Sequence, residues 1–137
     1  MTNNNDLDWA FPKVDPGAEP LGARILVQLR RSRKKTESGL WLVEETKETE
    51  KWQNMVGKVI TIGPLAFKNR ETMASWPEGS WCQVGDYVRV PKWGGDRWDI
   101  EVPGEDSLEE KALFMIINDH EVIAKITGNP LEVKAFI

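Results

Sequence analysis

The chain has 137 residues, 40% hydrophobic and 29% charged, with a formal net charge of −4. That is the size and composition of one soluble globular domain, able to bury a core without covalent staples. Its single cysteine, Cys82, excludes an internal disulfide and fits a reducing, cytoplasmic setting, while the acidic balance argues against nucleic-acid binding and no stretch is apolar enough to span a membrane.

Residues 1–19 read as an arm. They are polar and acidic, lack the form of a signal or transit peptide, and are broken by Pro12, Pro16 and Gly17. Trp9 and Phe11 are its anchors, placed to dock on the domain or on a neighbour. In "PLGARILVQLRR", Ile25, Val27 and Leu29 alternate with Leu26, Gln28 and Arg30, which predicts a half-buried strand. The basic run Arg30, Arg31, Arg33, Lys34 and Lys35 reads as a solvated loop base. The segment "VEETKETEKWQNM" has no apolar stripe at helical spacing, so a loop is expected there rather than a helix.

"VGKVITIGP" is a second strand, ended by Gly63 and Pro64. A long connection, "LAFKNRETMASWPEGSWCQ", carries turn chemistry at "PEG", with Trp76 and Trp81 on either side of an expected hairpin. "VGDYVRVP" is a third strand. In "KWGGDRWDIEV", Trp93 precedes a Gly94–Gly95 turn between two strand-like runs. "ALFMIIND" has the apolar density of a strand buried on both faces. "HEVIAKIT" reads as the last core strand, and "GNPLEVKAFI" as a short apolar tail with alternating Leu131, Val133, Ala135 and Ile137. Several short strands, frequent turns and no convincing helix predict an all-β barrel or sandwich.

The residues that could carry chemistry are few. His120 is the only histidine and sits beside acidic residues at an expected turn, so a zinc site lacks its ligands. Cys82 reads as a buried, inert thiol. "KWGGDRWD" lacks the glycine spacing and the Lys-Ser/Thr pair of a phosphate loop. No catalytic residues, metal or cofactor are expected. Seven tryptophans are more than one core of this size readily holds; either several pack in loops beside the core, or some await a partner surface. The sharpest feature is Leu40-Trp41-Leu42, three large apolar residues between a basic and an acidic run. Two readings fit it: a segment folded onto its own core, or a short recognition motif that docks extended in an apolar groove.

Taken in order, these segments resemble the GroES-type co-chaperonins. "PLGARILVQLRR" is similar to the family's first strand and "SGLWLVEE" falls at its mobile loop. "VGKVITIGP", "VGDYVRVPKWGGDRWDI" and "ALFMIINDHEVIAKIT" match the strands and the aromatic-Gly-Gly turn that follow. The resemblance implies a small GroES-like β-barrel over 20–127, with a mobile loop at 33–51 and a roof hairpin at 65–83 carrying Trp76 and Trp81. An N-terminal arm at 1–19 and a C-terminal tail at 128–137 are additions to it. It implies that Gly39, Leu40, Trp41, Leu42 and Val43 bind a chaperonin of the sixty-kilodalton class, which itself binds ATP. It implies a homo-oligomeric ring, a heptamer, in which the first strand (23–29) of one subunit meets the last (122–127) of the next. The departures, two terminal additions, a long roof and Trp41 in the apolar triplet, are similar to those of bacteriophage-encoded members. They imply a phage origin and an alternative role, a virion structural protein that reuses the barrel and ring.

Overall fold

Alternation of apolar and polar residues puts every second side chain on one face of a strand, and turn residues decide where each strand stops. In the computed structural model, which describes residues 4–31, 55–92, 94–103 and 111–131, six strands form on these signals. They are β1 (Arg24–Leu29), β2 (Val56–Ile62), β3 (Tyr87–Arg89), β4 (Asp96–Ile100), β5 (Ala112–Asn118) and β6 (Ala124–Lys125). They make one antiparallel sheet in the order β4-β5-β1-β2-β3-β6. The all-β fold expected from the sequence is therefore present.

Ile25, Val27 and Leu29 of β1 face the main core, where Val59, Val88, Leu113, Met115 and Ile117 meet them. Leu26 points the other way, into a second cluster with Ala112 and Phe114, flanked by Val14 and Trp98. The alternation predicts a half-buried β1, yet Ile25 to Leu29 are all buried. The cause is the arm. Pro12 O accepts a hydrogen bond from Gln28 Nε2 at 2.8 Å, and Pro16 O accepts one from Trp98 Nε1 at 2.8 Å. These bonds satisfy the polar atoms of the outward face, so the arm can cover it without stranding a donor.

Three expectations are corrected. No helix is expected in residues 1–19, but α1 forms over Asn4–Ala10. Seven residues do not sustain a helix in water, so tertiary packing must hold this one. Phe11 N closes the last turn on Leu7 O at 2.8 Å, and Ala10 and Phe11 bury themselves against Val56. The segment after β5 is not one continuous core strand. Asp119–Glu121 make a 3-10 turn, and only Ala124 and Lys125, both exposed, pair with β3. Lastly, β1 pairs with β2 on one edge and with β5 on the other. It has no edge left for a neighbouring subunit.

Gly63 ends β2 where two segments pass too closely for a side chain. A Cβ there would press on Gly22 O and stand 2.6 Å from Arg24 O. Gly63→Ala is expected to destabilise the fold by about 1–3 kcal/mol or more, because backbone must move to admit the methyl group. Gly128→Ala, where nothing lies within 4 Å, should leave the thermal midpoint unchanged. Thermal unfolding followed by circular dichroism checks both.

Candidate functional site

The segment expected to carry the recognition motif leaves the sheet between β1 and β2. Leu29 is in register with Gly57, Arg30 N donates to Val56 O at 2.9 Å, and Val90 N donates to Met55 O at 2.9 Å. The ladder thus brings Arg31 and Met55, the two ends of the segment, to one corner of the sheet. Gly39, Leu40, Trp41, Leu42 and Val43 lie outside the described residues, as do Trp52 and Trp93.

At this root Arg30 and Arg31, the described members of the basic run, depart from the expected solvated loop base. Arg31 is only 3% exposed. Its Nε donates to Trp9 O at 2.7 Å, its guanidinium lies 4.6 Å from the centre of the Trp9 ring, and its backbone N donates to Ala10 O at 3.0 Å. Arg30 Nη1 donates to Pro130 O at 2.8 Å. A planar, weakly hydrated guanidinium can be buried this way, where an ammonium would resist it. Composition alone could not reveal this, because the partners come from the two ends of the chain.

The connection between β2 and β3 is built on Phe67. This residue is 1% exposed and takes a left-handed φ of 62°. Such a conformation costs about 1–2 kcal/mol for a residue with a Cβ. Asp119, 3% exposed, holds it: Oδ2 accepts from Phe67 N at 2.9 Å and Oδ1 from His120 N at 2.7 Å. Trp76 and Trp81 pack on Phe67 with ring centroids 5.5 and 6.2 Å away, and on each other at 5.0 Å. They do come together, but not across a hairpin at "PEG". The antiparallel bridge is Lys68 with Ser75, and the "PEG" stretch only makes a tight turn, Gly79 N to Trp76 O at 2.8 Å.

Gly94 and Gly95 take φ of 91° and 71°, as the expected turn requires. A Cβ on Gly95 would also stand 2.9 Å from Ile116 O. Sequence reading missed the role of Arg97. It donates to Pro91 O at 3.0 Å, Lys92 O at 3.3 Å and Gly94 O at 3.1 Å, gathering the carbonyls of the turn. Its position two residues past Gly95 was the available signal. Burial lowers its pKa from the usual guanidinium range.

Cys82 and His120, the residues singled out for their chemistry, lie apart from this root. Cys82 is 2% exposed, and burial, with a smaller push from the Asp86 carboxylate, raises its thiol from an ordinary 9.0 to about 11. His120 is exposed, with Nδ1 3.5 Å from Asp119 Oδ1. Among the described residues no group of three His, Cys, Asp or Glu is placed to hold a metal ion. Among the same residues no helix is long and apolar enough to cross a membrane.

Comparison with known proteins bears on the same stretch of chain. A family model described as the chaperonin 10 Kd subunit matches residues 17–126. The chain is 36% identical over 107 residues to the mitochondrial 10 kDa heat shock protein of Schizosaccharomyces pombe, and 33% identical over 107 residues to that of Saccharomyces cerevisiae. Each alignment covers 78% of this chain and 86% of the relative.

Asp119→Ala strips the acceptor from a buried amide in a strained residue. It should cost about 1–3 kcal/mol and change the tryptophan emission of the Trp76–Trp81 pair, read by fluorescence and denaturant titration. Cys82 should stay unlabelled by iodoacetamide at pH 8, where about one thiol in a thousand is ionised, and react once the chain is unfolded. The folded state keeps this proton after the unfolded chain has lost it. Stability from this group is therefore complete below pH 9 and falls as pH rises toward about 11. Chemical denaturation at pH 8 and pH 10.5, compared with Cys82→Ala, isolates that decline.

Proposed function

Because the chain belongs to the chaperonin 10 Kd subunit family and is thus a co-chaperonin, we propose that it caps a chaperonin of the sixty-kilodalton class as a homo-oligomeric ring, a heptamer. In this reading residues 33–51 form the loop that engages the chaperonin. Gly39 is the flexible lead-in, and Leu40, Trp41, Leu42 and Val43 enter an apolar groove on the partner. ATP is bound and hydrolysed by the chaperonin. This chain acts by binding and not as an enzyme, with no cofactor or metal of its own.

One observation carries the reading. The family match spans residues 17–126, and inside it the β1–β2 ladder brings both ends of the 32–54 segment to one corner of the sheet. A segment rooted at a single corner is presented as a closed loop, with its apolar triplet set between basic and acidic runs. Ordering such a segment on a partner costs about 1–2 kcal/mol per residue in backbone entropy. Each docking is then weak, and tethered copies in a ring bind tightly through effective concentration. Weak single contacts also let the whole ring leave when the chaperonin changes state.

The ring reading draws support from β6. Its only strand partner among the described residues is β3, and Ile123 beside it is 57% exposed. An unpaired edge flanked by an exposed isoleucine is a liability that a neighbouring copy would cover. The next subunit therefore meets β6 and not β1.

Binding to purified chaperonin should be ATP-dependent in the wild type. Leu42→Asp should abolish it while leaving circular dichroism and ring mass unchanged, since an unpaired carboxylate in an apolar groove is strongly disfavoured. Wild-type affinity in that variant refutes the loop assignment. Brief trypsin treatment should cut first at Lys34, Lys35 or Lys47. Native mass spectrometry at micromolar concentration should give seven subunits, and a monomer there sinks the ring.

A further inference from the structure

The root of the 32–54 segment is enclosed by chain that the family match does not include. From one side, α1 ends against it. Ala10 O and Trp9 O accept from Arg31 N and Nε, the Trp9 ring stacks on the Arg31 guanidinium, and Ala10 and Phe11 cover Val56. From the other side, Pro130 O accepts from Arg30 Nη1, and Leu131 packs on the same small cluster. Residues 4–16 and 127–131 lie outside the matched stretch of 17–126. None of them belongs to the main core of the sheet. Pro12 O and Pro16 O serve the outward face of β1 and β4, while the two ends, residues 9–11 and 130–131, converge on the corner where the loop leaves.

We propose that these two terminal segments form a collar that sets the direction in which the loop leaves the sheet, closing on Arg31 as the positioning residue, and that the collar strengthens chaperonin binding. The proposal rests on the co-chaperonin reading above. Arg31 suits the task for three reasons. It stands two residues past the end of β1, next to Arg30, whose amide still bonds Val56 O. Its guanidinium is planar, so stacking on Trp9 and donation to Trp9 O together set its orientation as well as its position. Its backbone amide is bound to Ala10 O, so the chain path is held along with the side chain. A loop whose root is held in one direction has less orientational freedom to lose on docking, and this gain recurs in every subunit of a ring.

The collar separates from a general stabilising role by where its loss is felt. The test uses the full chain and the variants Arg31→Ala, Trp9→Ala and Trp9→Phe, with two readouts. The first is amide hydrogen exchange at Arg30, Arg31 and Gly57, against Leu113 to Ile117 in β5. The second is affinity for ATP-loaded chaperonin. Arg31→Ala and Trp9→Ala should speed exchange at the root about tenfold, leave β5 unchanged, and weaken chaperonin binding about tenfold at constant ring mass. Trp9→Phe keeps an aromatic face for the guanidinium and should restore both to within about twofold. Trp9→Ala leaves the Trp9 carbonyl in place, so it carries the test if Arg31→Ala does not fold. Unchanged exchange at the root, equal acceleration in β5, or wild-type chaperonin affinity alongside a loosened root each overturns the proposal. A wild-type protein that does not bind the chaperonin overturns the co-chaperonin lid instead, and root exchange alone then decides whether the collar exists.

Discussion

Strand β1 has neither a free edge nor a free face. β2 and β5 pair with its two edges, the main core takes Ile25, Val27 and Leu29, and the arm with its attendant cluster takes Leu26 and Gln28. A strand so enclosed must have every polar group met from within the chain. Gln28 is the exposed point of that requirement. A glutamine on an outward face is ordinary when water reaches it, but here it is 3% exposed and depends on Pro12 O. The arm is therefore part of the fold's hydrogen-bond accounting and not a loose leader.

The same enclosure organises the rest of the molecule. Because β1 is saturated, the sheet must end elsewhere, and it ends at β4 and at the two-residue β6. Because β1 and β2 stay paired up to Arg30 and Val56, the long segment between them has a narrow root. The core ladder and the site of proposed partner binding are thus continuous: the hydrogen bonds that build one define where the other begins.

The β2–β3 connection follows a different logic. Phe67 adopts a conformation that its Cβ disfavours, and a buried carboxylate 52 positions along the chain compensates by accepting its amide. Once Phe67 is held, Trp76 and Trp81 have a surface to pack on. Asp119 therefore links the turn after β5 to the β2–β3 connection, and its own backbone amide is tied to Ala23 O just before β1 at 2.9 Å.

Much of this was legible in the residues. Period-two alternation located β1, apolar density located β5, Gly63 marked the end of β2, and Gly94 and Gly95 marked a turn whose positive φ suits glycine. The buried state of Cys82 and the apolar triplet inside charged sequence were equally local signals. These features depend on neighbours within a few positions, which a sequence displays directly. The sequence could not show that α1 would form, that Arg31 would be buried, that β1 would lose its solvated face, or that only Ala124 and Lys125 of the last expected strand would pair. Each of these is decided by a partner distant along the chain: Val56 for the arm, Trp9 for Arg31, Pro12 for Gln28, Phe67 for Asp119. A buried cation, a short helix or a left-handed phenylalanine is unfavourable alone, and only the tertiary contact that compensates it makes it part of the native state.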